Sequence, residues 1–142
     1  MKFTAYTAHE IRGSLGDMAP MAYQDANHQK AIQWANKLRE RFPDINWLCP
    51  HENLIVNQLY KMGRVKGDDI VQSECELIAG PEIQAVVVLD QYFAGTGVAK
   101  EIVAAHDADK LLWFMDDQSE ESFQTLANDM SKDGVWEILE GK

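Results

Sequence analysis

The chain lacks the patterns that mark several common classes of protein. Its two cysteines, Cys49 and Cys75, do not have the spacing of a metal site, and a cytoplasmic setting would keep them reduced. No apolar run approaches the roughly 18 residues of a membrane span, and the start MKFTAYTAHE lacks the long apolar stretch of a signal peptide. These absences favour a cytoplasmic protein.

Basic residues are also scarce. The chain has 13 Lys and Arg against 23 Asp and Glu, which gives a net charge of −10 and a pI near 4.7. Such a surface repels nucleic-acid polymers and anionic membranes, both of which are bound through Lys and Arg patches. We expect a small molecule or another protein as the partner, and free nucleosides remain possible because they carry no phosphate.

Familiar catalytic and cofactor motifs are missing. The turn GTG is too short for the dinucleotide fingerprint, and the chain has neither a Walker-type phosphate loop nor a G-x-S-x-G elbow. The four histidines, at positions 9, 28, 51 and 106, lack the spacing of metal ligands. We therefore expect no metal, no cofactor and no serine or zinc hydrolase.

What the chain does have is a regular alternation of strand and helix patterns over 142 residues, with no repeat or linker that would divide it. We predict one domain, residues 1–142. The predicted strands are 2–8, 45–49, 85–90, 110–115 and 135–139. The predicted helices are 24–42, 53–62, 68–79, 97–106 and 119–130. Five such units predict a doubly wound α/β sandwich with a mostly parallel sheet, in which AVVVLD (85–90) is a central strand buried on both faces.

Ligands of such folds bind beyond the carboxyl ends of the strands, so the residues that follow each strand are the candidates for a site. Polar and aromatic side chains collect there. The candidates are Tyr6, His9, Glu10, Arg12, Gly13, His51, Asp90, Tyr92, Thr96, Gly97 and Glu101. Together they predict a site for a small hydroxylated ligand.

Each candidate also has a structural interpretation. Arg12 could pair with a neighbouring acid, and His51 could be a hydrogen-bonded structural histidine. Asp90 could cap the turn after its strand, and Tyr92 could belong to the core or to a dimer contact. These alternatives stay open at the level of the sequence.

Glu101 is the most informative of them. With Thr96 as the N-cap, Val98, Ile102 and Ala105 are predicted to form the buried stripe of the helix, and Glu101 flanks that stripe in the second turn. A partly buried carboxylate is costly unless it is paired or functional. Without a metal or a serine nucleophile, it could attack an electrophilic carbon directly, as in retaining glycosidases. The alternative is a solvated surface charge.

Two stretches resemble the nucleoside 2-deoxyribosyltransferase superfamily, which includes the deoxynucleoside 5′-monophosphate N-glycosidases. In that branch a tyrosine ends the first strand and a Ser-Ile-Arg-Gly loop follows; here Tyr6 precedes EIRGS, with Arg12 and Gly13. The family's Gly-Val-x-x-Glu-[Leu/Ile] helix start is matched by GVAKEI, which contains Gly97 and Glu101. CPHENL, with His51, is similar to a Pro-His segment of uncharacterised relatives. The resemblance covers about residues 3–116.

The resemblance implies a flavodoxin-like three-layer sandwich with a five-stranded sheet, a homodimer or larger oligomer, and cleavage or transfer at an N-glycosidic bond. Glu101 would be the nucleophile that forms a sugar ester, and Tyr6 would be part of the catalytic group. Where the family has an aspartate that assists the leaving base, this chain has Leu77, and Glu76 is the predicted substitute, with Glu74 on the same helix.

The chain departs from the family where the monophosphate-cleaving branch holds phosphate. Glu10 and Gly95 stand at the positions of two phosphate-binding serines. An acid there repels a dianion, so we expect an unphosphorylated nucleoside or another ribosyl compound, although Arg12 keeps a phosphate possible. The alternatives are a nucleoside- or nucleotide-sensing module without chemistry, a hydrolase of a ribosyl dinucleotide, and a protein-interaction domain.

Overall fold

The computed structural model describes residues 2–141, and within them parallel strands alternate with helices. The strands are β1 (Thr4–Ala8), β2 (Asn46–Leu48), β3 (Ala85–Leu89) and β4 (Leu111–Met115). The α-helices are α1 (Met21–Arg41), α2 (Leu54–Lys61), α3 (Gly67–Ala79), α4 (Gly97–Asp107), α5 (Glu120–Lys132) and α6 (Val135–Leu139). Two short 3₁₀ helices, Gly13–Met18 and Pro50–Glu52, follow β1 and β2. None of the helices within residues 2–141 is long and apolar enough to cross a membrane.

The sheet has the strand order β2-β1-β3-β4, and all three pairings are parallel. Tyr6 lies beside Val86, so β1 and β3 are neighbours although β2 separates them in the chain. This order is that of a flavodoxin-like α/β fold, and the direction of strand addition reverses between β1 and β3. The crevice beyond the carboxyl ends of these two strands is therefore the place where a ligand is expected.

The two faces of the sheet are covered by different helices. On one face, Trp34 and Leu38 of α1 and Leu126 of α5 pack with Trp113 of β4. On the other face, Ile78 of α3 and Ala105 of α4 pack with Tyr6 and Val86. All five residues of β3 are buried, which confirms its prediction as a central strand covered on both sides. Because side chains alternate along a strand, neighbouring residues of β1 face different helices.

The predicted fifth strand, 135–139, is wrong. This segment forms the short helix α6, so the sheet within residues 2–141 has four strands. Gly134, with φ of 73°, reverses the chain directly after α5, and Val135 is then fully buried. Ile138 and Leu139 pack against the same core as Val135, which is the i, i+3, i+4 spacing of a helix. In so short an apolar segment, the helical spacing of the buried residues indicates the structure better than the strand propensity of its β-branched and aromatic residues.

Candidate active site

Tyr6, in the middle of β1, packs with residues of α3 and α4 on one face of the sheet. The ring is fully buried, and the hydroxyl donates a hydrogen bond of 2.7 Å to Oε2 of Glu74 on α3. Burial raises the pKa of Tyr6 well above 10, and the charges of Glu101 and Glu74 raise it further. Tyr6 is therefore a neutral hydrogen-bond donor at physiological pH.

The start of α4 sets the position of Glu101. Thr96 is the N-cap, as predicted, and its hydroxyl accepts a hydrogen bond from the amide of Ala99. A Cβ at Gly97 would lie 2.9 Å from Cγ2 of Val71, so the glycine allows α4 to approach α3 closely. The close approach brings the first two turns of α4 against the helix that carries Glu74.

Glu101 lies inside the buried stripe of α4 instead of flanking it. The buried residues of the helix are Val98, Glu101 and Ala105, whereas Ile102, predicted to be part of the stripe, is only partly buried. Glu101 is 4% exposed, and its Oε2 has no hydrogen-bond partner among residues 2–141. The interpretation of Glu101 as a solvated surface charge is wrong, because a solvated carboxylate would be open to water.

The electrostatic surroundings of Glu101 disfavour its ionised form. Burial raises the pKa of Glu101 well above its usual value, and the nearby charge of Glu74 raises it further. The hydroxyl of Tyr6 acts in the opposite direction, and Glu10 adds a smaller repulsion. A buried carboxyl group beside a second acid is expensive for the fold in its ionised form, which makes Glu101 a candidate functional residue.

Glu10 lies at the edge of this group, on the loop that follows β1. It is 7% exposed, and its Oε1 is 2.6 Å from Oγ1 of Thr96, which is also 2.6 Å from the carbonyl oxygen of Phe93. Burial raises the pKa of Glu10, and the hydrogen bond to Thr96 opposes this. Tyr6, Glu10, Glu74 and Glu101 are called the acidic cluster below.

A second polar group, the histidine cluster, lies on the face of the sheet covered by α1. It consists of His9, His28 and His51. Nε2 of His51 is 3.1 Å from the carbonyl oxygen of His9, which can only accept, so this nitrogen carries the hydrogen. Nδ1 of His51 then accepts from Nδ1 of His28 at 2.9 Å. Burial, together with the two neighbouring histidines, lowers the pKa of His51 to about 3, so this ring is neutral at physiological pH.

His9 connects the histidine cluster to the end of β3. Its Nδ1 donates to the carbonyl oxygen of Glu10 at 2.8 Å, and its Nε2 has no hydrogen-bond partner among residues 2–141. Nε2 lies 4.0 Å from Oδ2 of Asp90, which forms an ion pair with Lys30. Asp90 has a positive φ of 68°, rare for a residue other than glycine, and its Oδ1 accepts from the amide of Gln91. Asp90 therefore caps the turn after β3 while its carboxylate faces His9.

The sheet divides the predicted site residues into these two groups. Tyr6, Thr96, Gly97 and Glu101 come together on the side of α3 and α4, whereas His9, His51 and Asp90 come together near α1. Strand β1 ends at Ala8, and the loop that follows places His9 beside Trp34 of α1 and Glu10 beside Thr96 at the start of α4.

Other predicted site residues have contacts away from the acidic cluster. The guanidinium of Arg12 pairs with Asp17 and donates to the hydroxyl of Tyr60, so it does pair with a neighbouring acid. Glu76 is exposed and accepts a hydrogen bond from Gln72.

The remaining two predicted residues have structural surroundings of their own. Tyr92 is 47% exposed and lies beside Phe114, with ring centroids 6.1 Å apart. Gly13 has a φ of 58°, and a Cβ there would lie 2.4 Å from the hydroxyl of Tyr23, so the position requires glycine.

Helical spacing could have identified two residues whose contacts were not predicted. Glu74 precedes the buried Ile78 by one turn and follows Val71 by three residues, which places it on the inner face of α3, unlike Glu76. His28 lies on the stripe of α1 that includes the buried residues Gln24, Ala31 and Ala35. In both cases the i, i+3, i+4 pattern carries the signal.

Among residues 2–141, no group of three or more His, Cys, Asp or Glu side chains has an arrangement that could hold a metal ion. Comparison of the chain with protein-family models, with curated proteins and with solved structures finds no match. The acidic and histidine clusters are therefore the features of this chain that indicate its chemistry.

Proposed function

We propose that this protein cleaves, or transfers a sugar at, the N-glycosidic bond of a nucleoside or related ribosyl compound, with Glu101 as the nucleophile. The observation that carries the proposal is the buried carboxylate of Glu101, which has an unpartnered oxygen and lies next to Tyr6 and Glu74. It lies beside the β1–β3 crevice, where flavodoxin-like folds bind ligands.

The proposed reaction has two steps. In the first, a carboxylate oxygen of Glu101 bonds to the anomeric carbon while the carbon–nitrogen bond breaks, and the electron pair of that bond leaves with the base. A neutral leaving base takes up a proton from Glu74. In the second step, water or the nitrogen of another base attacks the anomeric carbon and gives its proton to Glu74, and the ester bond to Glu101 breaks.

Glu74 is better placed for the proton transfer than Glu76, which was predicted from the sequence. Its Oε2 accepts the hydrogen bond from Tyr6, and its charge contributes to the raised pKa of Glu101. A second carboxyl group beside the nucleophile is the arrangement that retaining glycosidases use for acid and base catalysis. The carboxylate of Glu76 faces Gln72 and solvent instead.

The raised pKa of Glu101 is compatible with a nucleophile that loses its proton only when the substrate is bound. The transition state at the anomeric carbon has oxocarbenium character, and its positive charge favours the carboxylate form of Glu101. The desolvation that disfavours the charge in the free protein strengthens this attraction.

The resemblance to the nucleoside 2-deoxyribosyltransferase superfamily supports the same proposal. The two stretches that carry it contain Tyr6 and Glu101, and both side chains belong to the acidic cluster. Membership of that superfamily is part of the proposal, as is the homo-oligomeric state that it implies.

The test is incubation of the protein with ribonucleosides, 2′-deoxynucleosides, their 5′-monophosphates and a dinucleotide cofactor, followed by chromatography of the free base. We expect base release from at least one compound and its loss in Glu101→Ala, by a factor of at least about 10³ as for loss of a nucleophile. Glu76→Gln, an exposed acid on the neighbouring helix, is the matched control and should keep full activity.

Mass spectrometry of the intact protein during turnover should show an added sugar in the wild type and none in Glu101→Ala. Activity that survives Glu101→Ala would refute the nucleophile. Ligand binding without release of any base would refute the enzyme and favour a sensing module.

A further inference from the structure

The acidic cluster contains negative charge that the protein itself does not neutralise. The carboxylates of Glu10, Glu74 and Glu101 belong to elements that meet at the end of β1, and the charges of Glu10 and Glu74 both act on Glu101. Within residues 2–141, none of the three forms an ion pair with a basic side chain. The hydrogen bonds they accept come from neutral groups, among them the hydroxyls of Tyr6 and Thr96 and the backbone amide of Phe93.

Two basic residues on neighbouring elements, Arg12 and Lys30, form contacts elsewhere. Arg12 bonds to Asp17 and Tyr60, and its guanidinium stacks 5.2 Å from the centre of the Tyr60 ring. Lys30 pairs with Asp90 on the side of the sheet that faces α1. Neither cation contacts a carboxylate of the acidic cluster.

Glu101 supplies an independent sign that a ligand completes the cluster. Its side chain is almost fully buried, and Oε2 has no hydrogen-bond partner among residues 2–141. Buried charged oxygens in proteins are paired, hydrogen-bonded or used, so an unpartnered oxygen beside two further carboxylates is a position for a positive group.

We infer that the preferred ligand of the acidic cluster is a nucleoside without phosphate whose base is cationic, such as an N-ribosyl pyridinium or an N-alkylated purine. The inference rests on the proposed function for the bond that is broken, while the preference for positive charge is a separate property of binding.

A cationic base also suits the chemistry of the site. When Glu101 bonds to the anomeric carbon, the electron pair of the breaking bond neutralises the positive nitrogen, and the base leaves without taking a proton. A negative nucleophile and a positive leaving group become a neutral ester and a neutral base, so charge is lost within a desolvated site. Water then attacks the anomeric carbon and gives one proton to the ionised Glu74, which passes it to solvent, while the ester bond to Glu101 breaks.

Phosphate is disfavoured by the same groups. Glu10 is buried next to Thr96, at the entrance of α4, where an anion would otherwise meet the positive end of the helix dipole. Its carboxylate occupies that end of the helix. A 5′-phosphate near Glu10 would meet a like charge, whereas a cationic base would stabilise the ionised form of the carboxyl groups in the acidic cluster.

The experiment uses pairs of ligands that have nearly the same shape and differ in charge. Nicotinamide riboside is cationic, and its 1,4-dihydro form is neutral; 7-methylguanosine and guanosine form a second pair. Binding to the full chain is measured by calorimetry, and base release by chromatography. We expect the cation to bind at least about tenfold more tightly than its neutral partner in one pair, and the 5′-monophosphate of that cation to bind more weakly than the cation.

Three variants locate the effect. Glu10→Gln and Glu74→Gln should each reduce the preference for the cation several-fold, and Glu10→Gln should also reduce the discrimination against phosphate. Glu76→Gln has the same change of charge on an exposed position of α3 and should leave the preference unchanged. An equal effect of Glu76→Gln would show that only the net charge of −10 matters and would overturn the inference.

The outcomes separate the inference from the proposed function. A preference for the cation without base release supports the inference and refutes the enzyme. Base release from cationic and neutral nucleosides with equal affinity supports the enzyme and overturns the inference. Absence of a preference in both pairs overturns it as well, whatever the result for base release.

Discussion

Glu101 illustrates how a single residue can be unfavourable for the fold and useful for chemistry. The folded chain binds a proton at Glu101 more tightly than the unfolded chain, because burial and Glu74 raise its pKa. Between the ordinary carboxyl pKa and this raised value, the free energy of unfolding falls as pH rises. The fold is thus less stable at neutral pH than it would be with a neutral side chain at this position.

At this scale we predict that Glu101→Gln raises the free energy of unfolding at pH 7 by roughly 1–3 kcal/mol, the usual cost of an unsatisfied buried polar group. The glutamine amide can donate a hydrogen bond to Glu74, whereas the ionised form of Glu101 is repelled by Glu74. The gain should disappear near pH 4, where Glu101 is protonated in both states. Urea unfolding at the two pH values measures the change, with Glu76→Gln as a control that should show no gain. A loss of stability in Glu101→Gln at pH 7 would contradict the electrostatic interpretation.

At the scale of elements, the start of α4 combines a helix cap with a contact across the site. Thr96 caps α4 and also contacts Glu10 on the loop after β1. Ser119 caps α5 in the same way, through the amide of Ser122, but belongs to a helix on the other face of the sheet. The two caps allow the local effect on helix stability to be separated from the effect on the site.

We predict that Thr96→Ala and Ser119→Ala each cost about 1 kcal/mol in the free energy of unfolding, as expected for the loss of an N-cap. Thr96→Ala should also lower the rate of base release at pH 7, because the contact between Thr96 and Glu10 holds the loop after β1 against the start of α4, the helix that positions Glu101. Ser119→Ala should not change that rate. Equal activities of the two variants would show that the contact between Thr96 and Glu10 has no part in the reaction.

The elements also show what the sequence can and cannot reveal. Strand β3 and helix α4 were predicted within one residue at each end, because their apolar patterns are long and their caps are clear. The choice of Glu76 over Glu74 was made from sequence spacing within a family, whereas the inner face of α3 is defined by packing against α4. The division of the rim into two clusters depends on which face of the sheet each helix covers, and a strand pattern buried on both faces does not contain this information.

At the scale of the whole molecule, the two clusters act on stability in opposite directions. Burial lowers the pKa of all three histidines of the cluster. At pH values between these lowered pKa values and about 6.5, the unfolded chain therefore binds more protons than the folded chain. Stability supplied by these groups is present above pH 6.5 and is lost as pH falls. The raised pKa values of Glu10 and Glu101 give the opposite slope, with stability lost as pH rises above the ordinary carboxyl pKa.

Among the three histidines, His51 contributes most to the loss of stability at low pH, because its pKa falls from 6.5 to about 3 in the folded chain. Each pKa unit corresponds to about 1.4 kcal/mol, so the effect over this range is on the order of a few kcal/mol. We predict that His51→Asn lowers stability at pH 7, because buried hydrogen bonds to His9 and His28 are lost, and also flattens the dependence of stability on pH between 6.5 and 4. Urea titrations across this range measure the slope, and His106→Asn, at an exposed position, is the control that should keep it. An unchanged slope in His51→Asn would mean that acid acts on this fold through other groups.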